Sequence, residues 1–220
     1  MTVPRCATAD FWFDPSCPYT WLTSQWLVEV TKVRPVEVRW NLMSLSVLNE
    51  GREDDPEGDP EGWLRVPVRI CAAVRQEYGQ EALARFYTAL WTGGSEPEEG
   101  VGREWLNDLR DSLERAGLPP ALAAAGTSEA YDAAVRASHD EAVSLVGPDA
   151  GTPVIAVDRA DGGGRTAFFG PVISRVPTGQ EAARLWDGVL LTAGTAGFCE
   201  LRSRQPLSGQ RAAPATRTTP

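Results

Sequence analysis

Residues 11–21 read FWFDPSCPYTW. The first three are aromatic and β-prone, so the stretch begins as a buried strand. Asp14-Pro15 then breaks it. Cys17 follows, with Pro18 directly behind. Proline is well placed at the first position of a helix, where its missing N–H leaves no bond unmade. The stretch therefore reads as strand, turn and helix start, with a thiol at the junction. The first turn of a helix exposes unpaired N–H groups and the positive end of its dipole. A thiolate there is stabilised, and its pKa is expected to fall from about 8.5 toward the range of activated cysteines. The plainer alternative is a small buried cysteine packed on Trp21.

Working outward, Ala9 to Asp14 forms the strand. Trp21, Leu22, Trp26 and Val30 recur at helical spacing, so the helix extends from Pro18 to about Lys32. Val36, Val38, Trp40 and Leu42 alternate with polar residues as a second strand. This β-α-β unit occupies residues 9–49. Residues 50–61 are acidic and rich in Gly and Pro, and read as a loop. Residues 62–146 read as helical throughout: 63–78, 81–91, 103–116, a short turn at 118–125, and 128–146, punctuated by glycines. Gly151-Thr152-Pro153 returns the chain to a strand at 154–157, and residues 161–164 turn into a partner at 166–169. Thr178 with Glu181 has the spacing of a capping box for a last helix to about Thr192. This second half covers residues 151–201. Residues 202–220, rich in Pro, Ser, Thr and Arg, have the composition of a disordered tail.

The 220 residues, 42% hydrophobic and 23% charged, suit one large domain with a core. The net charge of −9 disfavours a phosphate backbone as partner, so nucleic acid is not expected. No run approaches the roughly 18 apolar residues of a membrane span, and residues 1–9 lack the apolar run of a secretory signal. A cytoplasmic, reducing setting follows as the expectation. The four cysteines, Cys6, Cys17, Cys71 and Cys199, match no metal-site spacing, and no metal is expected. Cys71 sits among apolar helical residues, and Cys6 and Cys199 lie outside the regular elements. All three read as structural or incidental.

Position 20, where a dithiol motif would place its second cysteine, holds Thr20. Its hydroxyl is positioned to donate to a thiolate one turn away. An internal disulfide cannot close there, so a second, external thiol would have to complete any redox cycle. The only histidine, His139, shares a helical face with Tyr131, Val135 and Ala142, as a packed residue or one lining the site.

The two halves, with the helical segment between them, resemble an α/β thioredoxin-like fold with an inserted helical subdomain, as in DsbA-like proteins. More closely, "DFWFDPSCPYTWLTSQWLVEV", "MSLSVLNE", "GTPVIAV" and "FFGPVISRVPTGQEAARLWD" resemble the DsbA-like mycothiol-dependent nitroreductases. A more distant similarity is to kappa-class glutathione transferases and 2-hydroxychromene-2-carboxylate isomerases, whose motif is S-P-Y-S. The resemblance implies mycothiol or a similar low-molecular-weight thiol as electron donor, a small-molecule substrate, and often a homodimer. It places the nucleophile on Cys17 and a cis proline on Pro153. Around them, Pro18, Tyr19, Trp21, Thr152 and His139 would line the substrate side. Tyr19 stands where the nitroreductases usually have tryptophan, and Thr20 where they have cysteine.

Two chemistries follow. One is a monothiol oxidoreductase acting on a disulfide, nitro or other electrophilic group. The other is a thiol-dependent isomerase or S-transferase acting on a conjugated double bond in specialised metabolism. A binding protein that kept the fold without turnover is a third class, disfavoured by the presence of Cys17 and Pro18.

Overall fold

The computed structural model describes residues 6–92, 109–158 and 164–202. The first aromatic stretch forms β1 (Ala7–Phe13), Pro18 opens α1 (Pro18–Thr31), and the alternating stretch forms β2 (Val36–Leu42). After β2 come a short helix α2 (Leu45–Leu48), the long α3 (Arg65–Thr92) and α4 (Leu109–Arg115). Two 3₁₀ segments follow, Pro120–Thr127 and Glu129–Tyr131, and then α5 (Asp132–Val146). The chain finishes with β3 (Val154–Asp158), β4 (Arg165–Phe169) and α6 (Gly179–Ala193).

The four strands form one sheet in the order β2-β1-β3-β4. β1 runs parallel to β2, with Phe11 opposite Trp40, and antiparallel to β3, with Phe11 opposite Ile155. β3 and β4 close the sheet as an antiparallel pair. Because successive side chains of a strand point to opposite faces, β1 feeds two cores. Ala9, Phe11 and Phe13 join α1, α3 and α6 in the larger cluster. Trp12 joins Met43, Ala142, Val154 and Ala156 in the smaller one, toward α5. On the larger side Trp26 of α1 packs on Trp186 of α6, and its indole N–H donates to the Ala182 carbonyl at 3.1 Å. Arg34 grips Asp187 with two parallel bonds of 3.0 and 2.5 Å, tying the end of α1 to α6.

The structure adds to the sequence reading and departs from it at one point. A short helix, α2, precedes the loop expected at 50–61, its start capped by the Ser44 hydroxyl accepting from the Val47 N–H. A four-residue helix is too short for a periodic pattern to register. The capping box does not form: Thr178 makes no side-chain cap bond, and the Glu181 carboxylate, which would reach back to the Thr178 N–H, is held by Arg175 in a two-pronged ion pair. The two helices expected at 63–78 and 81–91 are present as the two halves of α3, which meet at a non-helical Gly79 whose φ of 83° and ψ of −173° no other residue type readily adopts. The glycines at 93–94, most of the 161–164 turn and the tail beyond 202 lie outside the described residues. Among those described, no helix is long and apolar enough to cross a membrane.

The Gly79 break is testable apart from packing, since a Cβ there would meet no atom within 4 Å. Gly79→Ala should cost about 1–3 kcal/mol of unfolding free energy from backbone strain alone. Urea denaturation measures this, and a neutral substitution would show that the two halves of α3 straighten.

Candidate active site

The site is built on the turn between β1 and α1. Asp14, fully buried, ends the strand. Its Oδ1 accepts from the Ser16 N–H at 2.7 Å, closing the turn locally. Its Oδ2 accepts from the Leu45 N–H, also at 2.7 Å, binding the turn to the start of α2. The Trp91 indole N–H donates to the Pro15 carbonyl at 3.0 Å, so the end of α3 holds the same turn from above. Cys17 is thereby fixed as the residue before the helix, with φ −84° and ψ 115°, and Pro18 takes the first helical position.

Cys17 is 8% exposed. One turn on, Thr20 is fully buried, its Oγ1 3.2 Å from the Thr152 Oγ1. Thr152 belongs to the loop entering β3, and the Thr152-Pro153 bond is cis. So is Gly170-Pro171, which the sequence reading did not single out. The Pro171 carbonyl accepts from the Thr23 hydroxyl at 2.8 Å, and the Gly170 N–H donates to the Pro153 carbonyl at 2.8 Å. The two proline loops thus lie together against the first turns of α1. Pro18 is exposed and Tyr19 half-buried on the open side. Trp21 stacks on Trp91 at 5.8 Å between centroids and meets Tyr87 edge-on at 5.4 Å.

The electrostatics reverse one expectation. Burial pushes the Cys17 thiol up from its ordinary value, and the Asp14 carboxylate adds to this. The Thr20 hydroxyl and the N–H groups of Thr20 and Tyr19 pull the other way and are outweighed. The helix start favours the thiolate, as anticipated, although no N–H of the first turn caps the Cys17 side chain, and the removal of water from the sulfur is the larger effect. Asp14 shows the same balance: burial raises its carboxyl from 3.8 to about 6, against the bonds from Leu45 and Ser16.

Of the residues singled out in the sequence, Cys17, Thr20 and Thr152 come together with Pro153 adjoining, and Pro18, Tyr19 and Trp21 surround the thiol on α1. His139 lies elsewhere in the hydrogen-bond pattern. It is 4% exposed on α5, and its Nδ1 accepts from the Ser44 N–H at 3.4 Å. Burial depresses its pKa. It acts as a buried anchor for the segment after β2 and shares no hydrogen bond with the thiol group. Asp14, Tyr87 and Trp91 were missed. Asp-Pro-Ser signalled only a turn, and nothing local to α3 shows which of its aromatic residues faces Cys17.

With this geometry in place, the comparison with known proteins is informative. Residues 16–203 match the Rv2466c-like family, described by the mycothiol-dependent nitroreductase Rv2466c. The chain belongs to that family. It is 31% identical over 203 residues to the uncharacterized protein Rv2286c of Mycobacterium tuberculosis (strain ATCC 25618 / H37Rv), spanning 89% of this chain and 81% of the relative. Among solved structures it is similar to the probable DsbA oxidoreductase SCO1869 of Streptomyces coelicolor, with a TM-score of 0.53 at 16% identity, covering 95% of this chain and 97% of the other. It also aligns with a 2-hydroxychromene-2-carboxylate isomerase, with a TM-score of 0.42 at 16% identity, covering 83% and 94%. At such identities the first likeness is one of fold: the α/β architecture is thioredoxin-like, of the DsbA type. Membership places the chain among thiol-dependent enzymes.

Two measurements test the electrostatics. The alkylation rate of Cys17 against pH should inflect above the ordinary cysteine value of about 8.5, and Thr20→Val should move it about one unit higher by removing a donor to the thiolate. For Asp14 the folded value is the raised one, so its contribution to stability is full below pH 3.8 and is lost as pH rises through about 6. The stability of wild type minus that of Asp14→Asn should therefore fall by roughly 3 kcal/mol across that window and stay level above it. A difference that does not vary with pH would mean that Asp14 titrates as an ordinary carboxylate.

Proposed function

We propose that this protein is a monothiol oxidoreductase that uses Cys17 and a low-molecular-weight thiol, mycothiol in the first instance, to reduce an electrophilic small molecule. The observation that carries the reading is the pairing of Cys17 with Thr20 instead of a second cysteine, at the N-terminus of α1 in a family of mycothiol-dependent reductases. Cys71 is buried inside α3, where desolvation holds its pKa far above the ordinary value, so it is a poor resolving thiol. Cys6 and Cys199 are exposed, outside the helices and sheet core.

The chemistry for a disulfide substrate is a series of three exchanges. Cys17 loses its proton and attacks one sulfur; a Cys17–substrate disulfide forms, the substrate S–S bond breaks, and the other half leaves as thiolate. An external thiolate then attacks the Cys17 sulfur, releasing the remaining half of the substrate as thiolate and leaving the external thiol bonded to Cys17; a second external thiolate attacks that thiol's sulfur, the two leave joined as their disulfide, and Cys17 returns to the reduced state. Two electrons enter from thiols for each disulfide reduced. A nitro group would take two electrons and two protons from two thiols and become nitroso with loss of water, the thiols leaving joined as their disulfide. The protein's part is positional. The Thr20 hydroxyl and the N–H groups of Thr20 and Tyr19 receive the sulfur charge, the two proline loops bound the approach, and the indoles of Trp21 and Trp91 screen one side from water. The open rim at Pro18 and Tyr19 suits a small polar thiol approaching from solvent.

A second reading rests on the motif itself. Cys-Pro-Tyr-Thr, like Ser-Pro-Tyr-Ser, has a hydroxyl where a resolving sulfur would stand, as a thiol-dependent isomerase or transferase requires.

The two readings separate by mass. In a Cys6→Ser/Cys199→Ser background, oxidised mycothiol should leave one mycothiol adduct, mapping to Cys17, and added mycothiol should release it. Thr20→Cys in that background should instead yield an internal disulfide between positions 17 and 20. A bond from Cys17 to Cys71 in the parent would sink the monothiol scheme. If no adduct forms while mycothiol still supports turnover of a conjugated substrate, the isomerase or transferase reading holds.

A further inference from the structure

Four stretches frame Cys17: the turn and α1 at residues 14–31, the last turn of α3 at 88–92, the loop entering β3 at 147–153 and the loop leaving β4 at 170–174. None of them contains a lysine, an arginine or a histidine. They contain three carboxylates, Asp14, Glu29 and Asp149. Glu29 lies in the last turn of α1 and is paired with Lys32. The other two stand at the thiol end. Asp14 closes the turn before Cys17 through the Ser16 N–H. Asp149 is exposed three residues before Thr152, and three residues span at most about 11 Å. Thr152 in turn touches the frame of the sulfur: its Oγ1 accepts from the Asp14 N–H at 3.3 Å and lies 3.2 Å from the Thr20 Oγ1.

More negative charge comes from the segment after β2. α2, fastened to Asp14 by the Leu45 N–H at 2.7 Å, leads into residues 50–61, which carry seven acidic side chains against one arginine, Arg52. This stretch is an ordered turn. Asp55 accepts from the Glu57 and Asp59 N–H groups at 3.0 and 2.6 Å, and Asp59 from those of Trp63 and Leu64 at 2.7 and 3.0 Å. Glu57 stands exposed between Asp55 and Asp59, and its charge is among those that raise the Asp14 carboxyl. Cations in the adjoining segments are engaged. Arg175 holds Glu181, Arg65 and Arg136 share Glu50, and Arg115 donates to the Ala89 carbonyl and the Ser112 hydroxyl. The positive end of α1 falls away within one turn and acts on the sulfur itself. A ligand approaching Cys17 therefore meets carboxylates and, in the stretches that frame the sulfur, no cation.

We infer that this site sorts its ligands by charge: uncharged and cationic thiols and electrophiles reach Cys17, anionic ones are held back, and Asp149 and Glu57 are the residues that set this preference. The inference rests on the reading of Cys17 as the working thiol and narrows its partners. A thiol without ionised groups passes the rim, an amine is drawn to it, and a thiol carrying carboxylates, such as glutathione, is repelled. The same rule applies to the electrophile: a carboxylated substrate is poorer than its uncharged amide. The repulsion acts on encounter, before any bond to sulfur forms, so it appears in the rate of approach and weakens with salt.

Alkylation of Cys17 tests this without any substrate. Iodoacetamide and iodoacetate both form a carbon–sulfur bond with loss of iodide and differ mainly in charge, and the thiolate fraction cancels in the ratio of their rate constants. That ratio is measured in the Cys6→Ser/Cys199→Ser background and divided by the ratio for 2-mercaptoethanol. It should be about ten at about 10 mM salt and fall to within about twofold of unity at about 0.5 M. Asp149→Asn and Glu57→Gln should each lower the low-salt value by about two- to threefold. Glu200→Gln changes the net charge equally but lies past α6, toward the end where Arg34 meets Asp187, and should leave the value unaltered. A value near unity at low salt overturns the inference, as does one that ignores salt or that neither rim variant moves. So does an equal drop in Glu200→Gln, which would make the effect one of net charge. In exchange chemistry, cystamine, bis(2-hydroxyethyl) disulfide and 3,3′-dithiodipropionate should form the Cys17 mixed disulfide in that order of rate. Failure of all three with the alkylation ratio intact would remove only the reductase reading, and exchange at rates independent of charge would remove only the charge sorting.

Discussion

The arrangement of this site depends on one buried carboxylate. Asp14 closes the turn that precedes Cys17 through one oxygen and ties it to the segment after β2 through the other. Two short bonds from backbone N–H groups would ordinarily hold a carboxyl low. Complete burial overrides them and lifts it to about 6. The turn is therefore held by a charged group in a place hostile to charge, and the same charge works against ionisation of the neighbouring thiol. Geometry and reactivity here are coupled through a single side chain: the group that places the sulfur also makes its anion harder to form.

The frame was largely legible because its signals are local. A run of aromatic residues gave β1, alternation at period two gave β2, helical spacing of Trp21, Trp26 and Val30 gave α1, and Pro18 marked its start to the residue. The order of elements around Thr152-Pro153 pointed to the cis bond that the structure contains. What escaped depends on distant contacts. The helix terminus promised an acidic thiol, but how much water reaches a sulfur is decided by α3 and the proline loops, which the motif does not encode. Asp14 read as a turn former because its second partner, Leu45, lies 31 positions away. The capping-box spacing at Thr178 failed against Arg175, a competitor that no helix-start rule considers.

The segment between β2 and β3 contributes more than cover. Tyr87 stacks on Phe13 with centroids 4.2 Å apart, and Trp91 stacks on Trp21 while its N–H reaches the Pro15 carbonyl. These contacts belong to the half of α3 that follows the Gly79 break, whereas Cys71 and the buried residues around it belong to the half before. Both halves of the helix contribute to the core, and the second also rests on the turn that carries the thiol. Glycine at the junction lets the two meet different surfaces without a loop between them.

The four thiols differ sharply in access, with Cys71 and Cys17 buried and Cys6 and Cys199 exposed. Cys17 is nearly enclosed and held protonated at rest, while Cys6 and Cys199 stand open to solvent. Oxidants and alkylating agents attack the accessible thiolate first. Cys6 and Cys199 are thus the first to meet such reagents, ahead of Cys17. A bulk count of reactive cysteines in this protein reports on its surface before it reports on its chemistry.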